Sequence, residues 1–271
     1  MFGIGKKHHA KLLEEFLANK NRKKVGVAFG GGGLKGSAHV GVLKVLTEHG
    51  IPIDYVAGTS IGSAVAALYA SGYDWKMMDI LFNEYDIEST LKVRPNRKGL
   101  IPADKYTDLI HTCTKGKRIE EMDIPLKIIA VDLISRKKII FDRGDTALAV
   151  RASSSLPGIF TPVKIGDMLL VDGYILDNCP GDVVRAMGAD IVIAISLYAP
   201  DDAVPTNILD IVNRSLDIAT SSFQEIDGDI ILRPIPRHVE SLKTESIALC
   251  RRWGEECAEK HIDEIIELLG S

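Results

Sequence analysis

Three short stretches of the chain hold residues whose types and spacing suit covalent chemistry. Gly58-Thr59-Ser60-Ile61-Gly62 reads G-x-S-x-G, a pattern in which a serine on a sharp strand-to-helix turn has its hydroxyl pushed clear of the backbone. Gly58 and Gly62 remove the Cβ atoms that would crowd such a turn. A helix beginning near Ile61 would aim unpaired N–H groups and a partial positive charge at an anion forming there. The plainer reading is a tight turn with Ser60 as a helix cap. The apolar run Ile53 to Ala57 before the motif and the small residues to about Ala70 after it favour a nucleophile.

The second stretch is Gly30-Gly31-Gly32-Gly33-Leu34-Lys35-Gly36-Ser37, where backbone N–H groups can converge on an anion with no side chain in the way. Gly31, Gly33 and Gly36 satisfy the dinucleotide pattern G-x-G-x-x-G, with Asp54 as the acid about 20 residues on. A Walker phosphate loop needs Gly-Lys-Ser, and the order here is Lys35-Gly36-Ser37, which sets that use aside. The remaining use is an oxyanion hole drawn from Gly31, Gly32, Gly33, Leu34, Lys35 and Gly36, in which each donor is worth about 2.7 to 4 kcal/mol. In a parallel α/β unit the turns after the first two strands open at the same end. The glycine amides and Ser60 can therefore face one ligand, and a nicotinamide site has no use for that serine.

A serine hydroxyl needs a proton acceptor. Of the seven histidines, His8 and His9 lie in the N-terminal tail, His49, His111 and His261 read as surface helix positions, and His39 falls inside the first helix after the glycines. Only His238 stands where an α/β-hydrolase imidazole would. Asp172 closes a β segment with Gly173 behind it, and a carboxylate there could bond the serine directly and act as its base. A lone Asp-Gly would signal only a turn.

The elements that must position these residues alternate as in an α/β fold. Strands are expected at Val25–Phe29 and Ile53–Ala57, and a helix after the glycines should line one face with Ala38, Val42, Val45 and Leu46. Two β pairs follow, Leu126–Leu133 with Lys138–Phe141 and Val163–Ile165 with Met168–Val171. Ile191–Leu197 reads as a buried parallel strand, then come a helix near Pro205–Phe223, a strand at Asp229–Leu232 and a last helix with Ala258, Ile262, Ile265, Ile266 and Leu269 on one face, ending at Gly270. Residues 74–122, punctuated by Pro95, Gly99 and Pro102, read as an insertion covering one end of the sheet. Residues 1–24 carry seven Lys or Arg against two Glu and form a basic helix and linker, which either leans on the domain or lies on a membrane surface. The organisation is thus 1–24, a core over 25–185, and 186–271 completing the same domain.

Composition bounds the function. The 271 residues are 46% hydrophobic, with net charge −4 and pI about 6.0, so no broad basic field attracts nucleic acid, and any membrane contact is local and peripheral. No apolar stretch approaches the roughly 20 residues of a membrane span. Four cysteines without a C-x-x-C pair and an N-terminus unlike a signal peptide point to a reducing, cytoplasmic setting. Cys250 and Cys257, on one helix, read as packing rather than a metal site. No cofactor or metal is expected, and nothing specifies an oligomeric state.

The three blocks in this order, with Arg151-Ala-Ser-Ser-Ser-Leu-Pro157 through Pro162 between the last two, resemble the patatin-like phospholipase family over about residues 25–185. The resemblance implies a three-layer α/β/α sandwich with a mostly parallel sheet, and a serine hydrolase cleaving acyl esters of glycerolipids without calcium. It assigns the nucleophile to Ser60, the base to Asp172 and the oxyanion donors to the amides around Gly32, Gly33 and Leu34, with Lys35 adding positive charge. Tyr174 departs from the small residue usual after Asp-Gly, and its bulk would reshape the acyl or head-group side of the site. Two other readings stand beside it: an α/β-hydrolase triad of Ser60, Asp172 and His238, and a non-catalytic nucleotide-binding module on Gly31–Gly36.

Overall fold

The computed structural model describes residues 2–84, 104–199, 204–205, 208–221, 225–236 and 246–270. Their strands form one eight-stranded sheet: β1 Val25–Phe29, β2 Tyr55–Thr59, β3 Leu126–Asp132, β4 Lys137–Phe141, β5 Val163–Ile165, β6 Met168–Asp172, β7 Ile191–Ile195 and β8 Ile230–Leu232. Traced through its hydrogen bonds the sheet runs β5-β6-β3-β2-β1-β7-β8, with β4 also on β3. β1, β2, β3, β7 and β8 are mutually parallel. Helices cover both faces, giving the three-layer sandwich that the sequence implied.

Alternation along the central strands decides which layer is thick. Val25, Val27 and Phe29 of β1 and Ile191, Ile193 and Ile195 of β7 belong to the large apolar cluster, packed by α2 (Ser37–Glu48), α3 (Ile61–Ala70), α4 (Trp75–Glu84), α5 (Asp104–Cys113) and α9 (Ser246–Gly270). The opposite face carries small residues, Ala28, Ala57 and Ala194. That lets the six-residue helix α7 (Gly181–Ala186) sit close. A Cβ on Gly26 would fall 2.1 Å from Val184.

Several expectations shift. β2 starts at Tyr55 rather than Ile53 because Asp54 turns aside to an ion pair. α2 is buried on all sides, Val40 and Leu43 included, because α9 crosses it backbone to backbone. A Cβ on Gly41 would lie 2.0 Å from the Arg251 carbonyl, and one on Gly254 2.1 Å from that of Ala38. Within 74–122, α4 and α5 join the helical layer through Met78 and Ile110; residues 85–103, with Pro95, Gly99 and Pro102, lie outside the described residues. The helix expected near Pro205–Phe223 is α8, Ile208–Ser221, with Phe223 outside the described residues. α1 (Phe2–Ala18) leans on α9, burying Phe16. Cys250 is buried, whereas Cys257 is only half-buried.

Candidate active site

Ser60 stands between β2 and α3 with φ 56° and ψ −128°, a left-handed backbone that an L-residue adopts only under constraint. Neighbouring close approaches impose it. A Cβ on Gly58 would meet the Gly62 carbonyl at 2.3 Å, and one on Gly62 would meet that of Phe29 at 2.1 Å. The Ser60 side chain does not cap α3. Its hydroxyl instead donates to Oδ2 of Asp172 at 2.7 Å.

Sheet register explains how residues 112 apart meet. Ile128 and Ile129 of β3 pair with both β2 and β4, so those two strands occupy opposite edges of β3. Ala130 to Asp132 pair with both β4 and β6, which places β6 on the same edge as β2. The two strands therefore approach head-on along one edge: Thr59 opposite Ile129 and Asp172 opposite Ala130 are successive rungs. Ser60 leaves the sheet at that junction, directly beside the carboxylate. Gly173 is needed there, since a Cβ would fall 2.6 Å from the Ile129 carbonyl and 2.9 Å from the Thr59 methyl.

Asp172 is buried, with 2% of its surface exposed. Its Oδ1 accepts the Tyr174 N–H at 2.9 Å. Burial pushes its carboxyl up to about 8, and the Ser60 hydrogen bond offsets only part of that rise. Such a group holds a proton far more strongly than an ordinary aspartate.

The glycine loop lies against the elbow. A Cβ on Gly31 would sit 3.0 Å from that of Ser60, and one on Gly36 2.4 Å from Ile61. Not all its amides are free. The Gly31 N–H is shared between the Asn178 carbonyl at 3.1 Å and its Oδ1 at 3.0 Å. Residues 33–36 form a 3-10 turn, whose i→i+3 bonds use the later N–H groups, those of Lys35 and Gly36. The amides of Gly32, Gly33 and Leu34 head the turn with no partner inside it. Of the six residues expected to form the hole, Gly32, Gly33 and Leu34 thus keep amides unspent within the turn, whereas Gly31 and Gly36 make close packing contacts.

Sequence reasoning missed the residues that hold this arrangement. Ser153 Oγ accepts the Ser60 N–H at 2.8 Å, and the Ser155 carbonyl accepts that of Asp172 at 3.0 Å. Both lie in the Arg151-to-Pro162 block, at the end of helix α6 (Thr146–Ser153). Buried Arg151 ties the block together by donating to the Ser155 hydroxyl and the Thr161 carbonyl. His39, fully buried, meets the Gly30 carbonyl at 2.8 Å through Nε2, while its Nδ1 has no partner among the described residues. Because a carbonyl only accepts, Nε2 carries the proton. Only the clustering of serines in 153–155 hinted at any of this. Tyr174 reaches α8, where its hydroxyl donates to Asp217, and it helps wall a cavity of about 620 Å³ with Asn178, Tyr198 and Arg233.

Two other candidates fall elsewhere. Asp54 precedes β2, at the end of the sheet opposite the glycine loop, where it accepts from Arg22 at 2.6 and 2.8 Å and from the Val25 N–H at 2.9 Å. It cannot reach a ribose on that loop. His238 lies outside the described residues. The direct Ser60–Asp172 contact leaves no room between them for the imidazole that a triad would insert.

The sequence profile of patatin-like phospholipases matches residues 27–184, from β1 through α7. An uncharacterized NTE family protein of Mycobacterium tuberculosis is 31% identical over 207 residues, 74% of this chain and 58% of that protein. Human patatin-like phospholipase domain-containing protein 6 is 33% identical over 187 residues, 66% of this chain and 14% of the relative. Lysophospholipase NTE1 of Yarrowia lipolytica is 32% identical over 190 residues, 68% and 13%. The chain thus spans under two thirds of the relatives it matches. Among solved structures, VipD from Legionella pneumophila superimposes with a TM-score of 0.62 at 15% identity, over 90% of this chain and 67% of that one. Human GIVD cytosolic phospholipase A2, in complex with methyl gamma-linolenyl fluorophosphonate, gives 0.51 at 11%, over 98% and 62%; these two likenesses concern the fold. Because the profile runs without a break across the glycine loop, the elbow and the Asp172 strand, the chain belongs to the patatin-like phospholipase family.

Proposed function

We propose that this chain is a serine acyl hydrolase that cleaves acyl esters of glycerolipids through an acyl-enzyme, with Ser60 as nucleophile and Asp172 as base. The observation that carries this reading is the 2.7 Å hydrogen bond from the Ser60 hydroxyl to a buried carboxylate. Ser60 Oγ attacks the ester carbonyl as its proton passes to Asp172, and the resulting oxyanion is held by the amides of Gly32, Gly33 and Leu34. Collapse expels the alcohol, which takes the proton from Asp172, and leaves an acyl-Ser60 ester. Water then repeats the sequence, giving its proton to Asp172 and releasing the fatty acid.

A carboxylate is ordinarily a poor base for an alcohol. Burial makes Asp172 a stronger one, at the cost of a smaller ionised fraction, roughly a tenth at pH 7 for a group near 8. The catalytic core is assigned to residues 25–185, with 186–271 completing the sheet. A fluorophosphonate should label the purified protein at Ser60, and Ser60→Ala should abolish both labelling and the hydrolysis of p-nitrophenyl esters. Turnover retained in a folded Ser60→Ala protein overturns the proposal.

A further inference from the structure

Two adjacent exposed apolar side chains stand at the end of the sheet where Ser60 opens. β3 runs on past Ala130, the rung level with Asp172, by two residues, about 7 Å along the strand, and then turns back into β4. At that turn Leu133 is 45% exposed and Ile134 66%. The tip is braced: the Asp132 carboxylate accepts the N–H groups of Ile134, Ser135 and Leu169 at 2.9 to 3.1 Å. A braced turn presenting two large aliphatic side chains to water is the mark of a contact surface.

The charges beside it indicate the kind of partner. Arg136 and Lys137 follow the two apolar residues and Lys164 stands on β5, beyond β6, all three exposed and without an ion pair to any described residue. The chain as a whole carries net charge −4, so this concentration of cations is local. Apolar residues that enter an acyl layer, rimmed by cations at head-group level, match an anionic lipid surface. A second pair of exposed apolar residues, Ile211 and Ile218, lies seven residues apart on α8, a helix bonded to Tyr174 through Asp217. The basic N-terminal segment is at the other end, where Arg22 joins Asp54.

We propose that the β3–β4 tip, Leu133 and Ile134 flanked by Arg136, Lys137 and Lys164, docks the protein on an anionic lipid surface and turns the Ser60 end of the sheet toward it. The purpose of the docking rests on the lipid-hydrolase reading, but its test does not, because binding is measured without turnover. The full chain is sedimented with vesicles of phosphatidylcholine alone or mixed with phosphatidylglycerol. Wild type should bind the mixed vesicles at least tenfold more tightly than the neutral ones, and less tightly as salt rises. Leu133→Asp with Ile134→Asp should reduce binding to the mixed vesicles at least tenfold, and Arg136→Glu with Lys137→Glu should abolish the preference for the anionic lipid. Circular dichroism and hydrolysis of a short soluble ester should be unchanged in both variants. The proposal fails if wild type binds neither vesicle, or if folded tip variants bind as wild type does. It fails equally if binding is lost on Lys6→Glu, Lys7→Glu and Lys11→Glu instead.

Discussion

The two ends of the central sheet each hold a conspicuous aspartate, and they are treated in opposite ways. Asp54 sits before β2 among cations. Burial would raise its carboxyl, but the hydrogen bonds from Arg22 and the Val25 N–H and the charges of Arg22 and Lys24 outweigh that and hold it below its ordinary value. Asp172 ends β6 with no cation bonded to it among the described residues, accepting from a serine hydroxyl and one amide, and burial carries it to about 8. A carboxylate satisfied by arginine is a fixed joint, whereas one kept from its counter-ion remains able to take a proton. The contrast separates structural from chemical charge within a single sheet.

The largest expected effect comes from removing that proton acceptor. Asp172→Asn should keep the fold and lower kcat for a soluble ester at least about 10³-fold. In the wild type, kcat/KM should rise with pH and level off above about 8, as the carboxyl ionises in the free enzyme. A flat profile between pH 6 and 9 breaks the contrast between the two aspartates.

The same group carries a stability signature of opposite sense. Its folded value near 8 exceeds the unfolded value near 4, so between those pH values the folded chain keeps a proton that the unfolded chain has released. Stability from this site is complete below about pH 4 and is lost as pH rises to about 8. Asp172→Asn does not titrate, so it should melt several degrees above wild type at pH 9, with the gain shrinking toward pH 5. Asp54→Asn should do the reverse. It should lower Tm at neutral pH, the lost charged hydrogen bonding costing about 2 kcal/mol of stability, and the difference should fade as pH falls through the depressed value of Asp54. Ester hydrolysis by Asp54→Asn should stay within about twofold of wild type.

What could be read in advance, and what could not, follows from how far each feature reaches along the chain. The elbow was legible because Gly58, Ser60 and Gly62 answer to local backbone constraints. Asp172-Gly173 was visible as a strand end, and its role came through the resemblance. The head-on meeting of β2 and β6 along one edge of β3 was not visible, since it depends on the register of three strands spread over residues 55–172. The Gly31–Asn178 bond spans 147 residues and the Ser60–Ser153 bond 93, beyond any local pattern. The late start of β2 has the same origin, because only the distant Arg22 explains why Asp54 leaves the strand. The α2 face of Ala38, Val42, Val45 and Leu46 is buried as its spacing implied, but the burial of Val40 and Leu43 was not visible, because it depends on Gly41 and Gly254, unremarkable in sequence, letting α9 cross backbone to backbone.

His39 offers the finest test, since it supports the glycine loop without touching the reacting atoms. Its imidazole is held neutral, pushed down to about 4 by burial against the opposing pull of its Gly30 hydrogen bond. The unfolded chain takes up a proton near 6.5, so stability from this site is present at neutral pH and is lost as pH falls from about 6.5 toward 4. His39→Leu removes the titration and the orphaned Nδ1, but strips the Gly30 carbonyl of its donor at 2.8 Å. The variant should therefore lose the acid-dependent part of the fall in Tm between pH 7 and pH 4.5. At pH 8 its kcat should drop by about three- to tenfold, with little change in KM, as the loop that precedes the amides of Gly32 to Leu34 loosens. His39→Gln, which can return an N–H to Gly30, should recover most of that turnover while still lacking the acid titration. If both variants lose turnover equally, His39 fills space and does not position the loop. If neither does, the loop is held by Asn178 and by the Gly30 N–H bond to the Ile195 carbonyl, and the chemical end of the sheet owes its order to residues after Asp172.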